Sequence, residues 1–160
     1  MDSARTGLRR ALEVVVLGLV LALALVVVVG VGFRKMGASL VWYDEVASIL
    51  LAWLTYYGAA LGALHRAHIR VPTLVDRAPP RLRVAMVLVA EAAVLGFFLV
   101  LAWAGVRVLS VLGGTTLVSL PWVPASVAQS VIPIGALLFV AAELMTLPAV
   151  LRRAMIGDAV

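Results

Sequence analysis

The stretch VVVLGLVLALALVVVVGVGF, Val14 to Phe33, contains no charged, hydroxyl or amide side chain. As a helix rising 1.5 Å per residue it reaches roughly 30 Å, the hydrocarbon thickness of a bilayer. Lipid offers its backbone no partner, so the segment must pair its own amides, and it is read as a helix despite the preference of valine for strands in water. Arg5, Arg9 and Arg10 precede it as they would precede a secretory leader. The run is longer than a leader's apolar core, however, and Gly30-Val31-Gly32-Phe33-Arg34 is a poor cleavage site, so it reads as a permanent span.

Three further apolar runs follow, giving predicted helices over about Leu12 to Phe33, Val46 to Leu64, Val84 to Val106 and Val127 to Val150. The expected fold is all-α: a polytopic membrane protein of about four transmembrane helices, with residues 1–160 forming a single membrane domain. Composition agrees, since 64% of the 160 residues are hydrophobic and 13% charged, against roughly a quarter charged in a soluble domain. A transmembrane barrel would need alternating strands, and these runs do not alternate.

The formal net charge of +5 is not a nucleic-acid signature, because the arginines flank the apolar runs. Arg5, Arg9, Arg10, Arg66, Arg70, Arg77, Arg81, Arg83, Arg152 and Arg153 fall on one side of the predicted spans, and Arg34, Lys35 and Arg107 on the other. Positively charged loops stay inside, so both termini are expected in the cytoplasm. With no cysteine, disulfides, thiolate catalysis and cysteine-based zinc sites are excluded.

The connector from Arg34 to Tyr43 suits an interfacial segment with Trp42 and Tyr43 as aromatic anchors at the headgroups. The uncharged connector from Val108 to Ala125, with Gly113, Gly114, Pro121, Trp122 and Pro124, is expected at the interface or against a partner protein, with a re-entrant loop as the alternative. Pro133 either kinks the last helix or marks its start.

In the second span Asp44, Ser48, Ala52, Thr55, Ala59, Gly62 and Arg66 share a small or polar face, while Leu50, Leu54, Tyr57, Leu61 and Leu64 share another. Gly58 and Gly62 form a small-xxx-small element, which serves either docking to a partner or packing within this chain. Glu91 and Glu143 are intramembrane carboxylates at similar depth from the arginine-bearing side, open to two readings: ion or proton translocation, or structural pairing. Glu13, three and four residues after Arg10 and Arg9, is placed for same-face ion pairs. His65 and His68, with Asp76, are read as a solvated border and not a metal site, because Arg66, Arg70 and Arg77 would repel a cation. The absence of a phosphate-binding glycine loop and of a serine elbow argues against an enzyme.

Trp42-Tyr43-Asp44-Glu45, then Tyr57-Gly58-Ala59-Ala60, then His65-Arg66-Ala67-His68-Ile69-Arg70-Val71, and later Ser119-Leu120-Pro121-Trp122 with Ile132-Pro133-Ile134-Gly135, together resemble the small permease subunit of tripartite ATP-independent periplasmic (TRAP) transporters. Asp44 stands where that family more often has a second glutamate, and Pro72 where it often has an aspartate. The resemblance implies a sodium-driven transporter of organic acids in the bacterial inner membrane. In it a periplasmic substrate-binding protein delivers the solute to a large permease subunit, and the small subunit acts as scaffold. Sodium and substrate sites would then belong to the large subunit, leaving no cofactor in this chain and lipid as its surroundings. Trp42, Asp44 and Glu45 at one end and His68 at the other would be interface or positioning residues. The rival readings are a self-sufficient small transporter using Glu91 or Glu143, and a membrane anchor for an enzyme.

Overall fold

The structure is a computed structural model that describes residues 2–65 and 79–156. It is all-helical: α1 (Asp2–Lys35), α2 (Tyr43–His65), α3 (Pro80–Val111), the short α4 (Ala125–Gln129) and α5 (Val131–Ile156). The four long helices are each long and apolar enough to cross a membrane. They extend beyond the apolar runs into the flanking charges, since a backbone that is already hydrogen-bonded in lipid continues its ladder into the headgroup layer.

The helix ends follow local chemistry. After α1 the chain turns at Gly37, whose φ of 78° suits glycine, and the amides of Gly37 and Ala38 return to the carbonyls of Arg34 and Phe33 at 3.1 and 3.0 Å. This pair of bonds is the Schellman arrangement. Asp44 and Glu45 occupy the first turn of α2, where a carboxylate meets the positive end of the helix dipole. Pro80 opens α3 at a position whose amide needs no helical acceptor. Pro133 lies in the first turn of α5 and removes no interior bond, so the reading in which it marks the helix start holds and the kink expected there is corrected. The interior proline is Pro148, which deprives the Leu144 carbonyl of its helical donor.

The helices pack in sequence across the molecule as α1 on α2, α2 on α5 and α5 on α3. The start of α1 and the end of α5 lie at the same end of the helix axes, called here the termini end, opposite the loop end. α5 is the most enclosed, with 44% of its most apolar stretch buried against 6% for α1. A glycine sits at each seam. A β-carbon on Gly30 would collide with the ring of Tyr43; one on Gly135 would stand 2.6 Å from Cβ of Tyr56; one on Gly105 would stand 2.8 Å from Cδ of Pro133. Backbones approach this closely where lipid supplies no hydrophobic drive and van der Waals contact must hold the helices together.

The main core is Leu12, Ala60, Ala63, Leu64, Phe139 and Ala142. Phe98 of α3 stacks on Phe139 with ring centroids 3.7 Å apart, and Val87 packs on Val150 nearer the termini end.

Candidate functional site

At the loop end the polar chemistry centres on the start of α2. The Glu45 carboxylate accepts hydrogen bonds from the backbone amides of Val118 and Ser119 at 3.1 and 2.8 Å, and from the Ser119 hydroxyl. The connector it holds folds back on itself, with an isolated bridge between Thr116 and Pro124. The Leu117 amide bonds the Val123 carbonyl at 3.0 Å, and the Ala125 amide bonds the Thr115 carbonyl at 3.0 Å. Gly114, at φ 86°, makes the turn that enters this fold. Further down α2 the Trp53 indole donates to the Ala128 carbonyl at 3.0 Å, so α2 holds the connector at two heights.

Tyr43, expected as an aromatic anchor, also packs between helices. It is buried against Gly30, and its hydroxyl takes a hydrogen bond from Arg34. The cause is the close α1–α2 approach that Gly30 permits, which draws the ring between the helices. Trp42 is half-buried. Asp44 is exposed and lies 3.9 Å from Arg34, a solvated pair of little energetic weight.

Along α2, Asp44, Ser48, Leu51 and Thr55 are exposed, and Gly58 has nothing within 4 Å of where a β-carbon would stand. At 100° per residue these five positions fall within about 80° of one another around the helix. They form an open face running from the loop end past mid-helix. Ala52 and Ala59, expected on this face, are half-buried at its edge, and Gly62, also half-buried, lies on the line of the face one turn past Gly58. The hydroxyls of Ser48 and Thr55 donate to their own helix, to the carbonyls of Asp44 and Leu51, each at 2.8 Å. Such a face is polar in composition yet needs no water.

Glu143 is buried on α5, one turn from Phe139 and beside Thr146, whose hydroxyl donates to the Glu143 carbonyl at 3.0 Å. Glu91 is half-buried on the side of α3 that carries Val87, Phe98 and Ala102. Both carboxylates thus belong to the α3–α5 seam, and both have polar or electrostatic partners. At the termini end Glu13 pairs with Arg9 at 3.6 Å and with His65 at 3.4 Å, and Arg5 donates to the Leu64 carbonyl at 2.9 Å, closing the end of α2. The Arg9 pair follows from spacing along one helix; the His65 contact joins two helices and left no local signal. His68 and Asp76 lie outside the described residues. Trp53 is the contributor that sequence reasoning passed over, and the contacts of Tyr43 and Ser119 were not foreseen, since each acts through a neighbour distant in the chain.

Four spanning helices, a connector braced from within, and polar residues devoted to packing and bracing define a multi-pass membrane component of a larger assembly. Comparison with known families gives the assembly. The model of the DctQ component of tripartite ATP-independent periplasmic transporters matches residues 23–153, and the chain belongs to that family. It is a small permease subunit of a TRAP transporter, and it is not an enzyme. A search of curated proteins finds no match.

Proposed function

We propose that this subunit is the scaffold on which a large permease subunit assembles, in a sodium-driven system that imports an organic acid delivered by a periplasmic binding protein. Both termini then face the cytoplasm of a bacterial inner-membrane protein, in keeping with the distribution of arginines. Sodium and substrate are handled by the large subunit.

The observation that carries this reading is the open face of α2. Gly58 closes it past mid-helix with free space before it, in line with exposed Ser48, Leu51 and Thr55. Lipid gains little from small residues, whereas a second helix gains close backbone contact. By contrast, this chain's own seams use Gly30, Gly105 and Gly135, so Gly58 is not needed for them.

The test is Gly58→Leu, with the tagged chain purified in mild detergent and its companions identified by mass spectrometry. The expected result is a folded small subunit that recovers at least tenfold less permease than wild type. Undiminished recovery would remove α2 as the docking helix.

A further inference from the structure

The seams fix the relative heights of the helices, and the charged residues that bound each apolar belt can be placed on a common scale. Gly30 lies against Tyr43, Gly135 against Tyr56, and Gly105 against Pro133. Phe98 lies against Phe139, and Val87 against Val150. The three α3–α5 contacts keep one register along the whole seam, so heights carry reliably from one end to the other.

At the loop end the boundary charge of α1 is Arg34, one turn beyond the height of Tyr43, or about 6 Å outward at 1.5 Å per residue. On α2 it is Glu45, about 3 Å inward of Tyr43 on the same scale. On α3 it is Arg107, two residues beyond Gly105, which falls at the height of Ala52 and about 14 Å inward of Tyr43. The boundary therefore steps by about 20 Å from α1 to α3.

The termini end steps the same way. On the same scale Glu13 of α1 lies about 7 Å short of the height of His65 of α2, and their side chains bridge that gap. Arg152 of α5 and Arg83 of α3 fall about 12 and 15 Å beyond the height of His65, in the direction of the termini end. The two boundaries, one at each end, thus shift by similar amounts in the same direction from α1 through α2 to α3, and at the termini end α5 falls between α2 and α3.

Charged residues sit at the edges of a flat hydrocarbon slab, so a slanted band of charges on the molecule means a slanted molecule in the membrane. We infer that the row of helices crosses the bilayer aslant, leaning in its own plane, and that its lipid-contacting surface is an oblique band. With three helix-to-helix steps of roughly 9 Å, a rise of 15 to 20 Å gives a lean of about 30 to 35°. The lean brings the loop-end tip of α3, with Arg107, to the same membrane surface as Arg34 and Glu45. It also sets the uncharged connector in the step above the start of α5, at that surface. A partner helix laid along the open face of α2 inherits the slant, within the roughly 20° of a usual helix crossing. This inference rests on the membrane-crossing helices alone and stands whether or not α2 is the docking helix.

The chain has no cysteine, so single cysteines can carry spin labels without background removal. Leu21 and Val106 are both exposed and lie within one residue of the same height on the molecule. Val14 and Phe97 are also exposed and lie within a turn of a second common height. Leu21→Cys, Val106→Cys, Val14→Cys and Phe97→Cys would be labelled in the full chain, reconstituted into phosphatidylcholine liposomes. Depth is then read from collisions with oxygen and with a water-soluble nickel chelate. An aslant row places Leu21 about 10 Å deeper than Val106, and Phe97 about 10 Å deeper than Val14, each estimated from distance to its belt centre. Equal depths for Leu21 and Val106, with Val14 deeper than Phe97, would show an upright row and overturn the inference.

Discussion

Gly105→Ala tests whether glycine contact holds the α3–α5 seam. The added β-carbon would stand 2.8 Å from Cδ and 3.0 Å from the backbone nitrogen of Pro133, and 2.9 Å from Cγ2 of Ile132. Comfortable carbon–carbon separation begins at about 3.5 Å, so the helices must part by roughly 0.5 to 1 Å there. Neither the proline ring nor the backbone behind it can swing aside. The seam keeps one register from Val87 to Gly105, so parting it strains the Phe98–Phe139 stack as well. Overpacking of this kind costs about 1 to 3 kcal/mol, offset by up to about 1 kcal/mol of helix propensity gained on replacing glycine. Gly96→Ala on the same helix is the control, because nothing lies within 4 Å of its added carbon, and it keeps the propensity gain alone. Unfolding of the purified chain in mixed detergent micelles should separate the two variants by about 1 to 3 kcal/mol, Gly105→Ala being the less stable. If the two variants unfold together, close approach at Gly105 contributes nothing and the seam is held elsewhere.

The other perturbations address the loop end and its bracing. Glu45→Gln removes one of the two acceptor oxygens and turns an amide donor toward donors, so the amides of Val118 and Ser119 should exchange with deuterium about tenfold faster while α5 is unaffected. Unchanged exchange would mean the connector is held without the carboxylate. Trp53→Phe keeps the ring but leaves the Ala128 carbonyl without its indole donor, a loss of about 1 kcal/mol; faster exchange confined to residues 125–130 is the expected readout, and none would show that the bond is dispensable. Arg5→Ala uncovers the Leu64 carbonyl at the end of α2 and should raise exchange in the last turn of that helix alone, with the α2–α5 seam retaining wild-type protection.

The spans were legible because a membrane helix announces itself locally, by length and by the polarity of each residue in turn. The start of α5 was legible as one of two readings of Pro133, and only its contact with Gly105 shows why that proline is there. The seams were not legible. α3 and α5 are apolar on every side, so the amphipathic contrast that orients a helix in water is missing, and the packing glycines look like any other small residue. Gly58-xxx-Gly62 carried the recognisable spacing, yet Gly58 has open space before it while close contacts fall at Gly30, Gly105 and Gly135. Glu45 was singled out for its place at the head of a span. That its partners are Val118 and Ser119 depends on a fold of the connector that no run of residues in it declares.

Exposure means something different here than it would in water. Leu17, Leu25, Phe97, Val100 and Trp103 are all largely uncovered, and in a soluble protein so continuous an apolar surface would mark an interface. In lipid it marks nothing, because the tails are as apolar as leucine and exposure of these side chains carries no penalty. The signal must come from residues that lipid does not favour. On α2 those are Asp44, Ser48, Thr55 and Gly58; the two hydroxyls are already satisfied by their own helix, and open space lies before Gly58. Apart from the solvated Asp44–Arg34 pair this face is unused by the described part of its own chain, and under the proposed scaffold role this makes the open side of α2 the place to begin a search for the rest of the transporter.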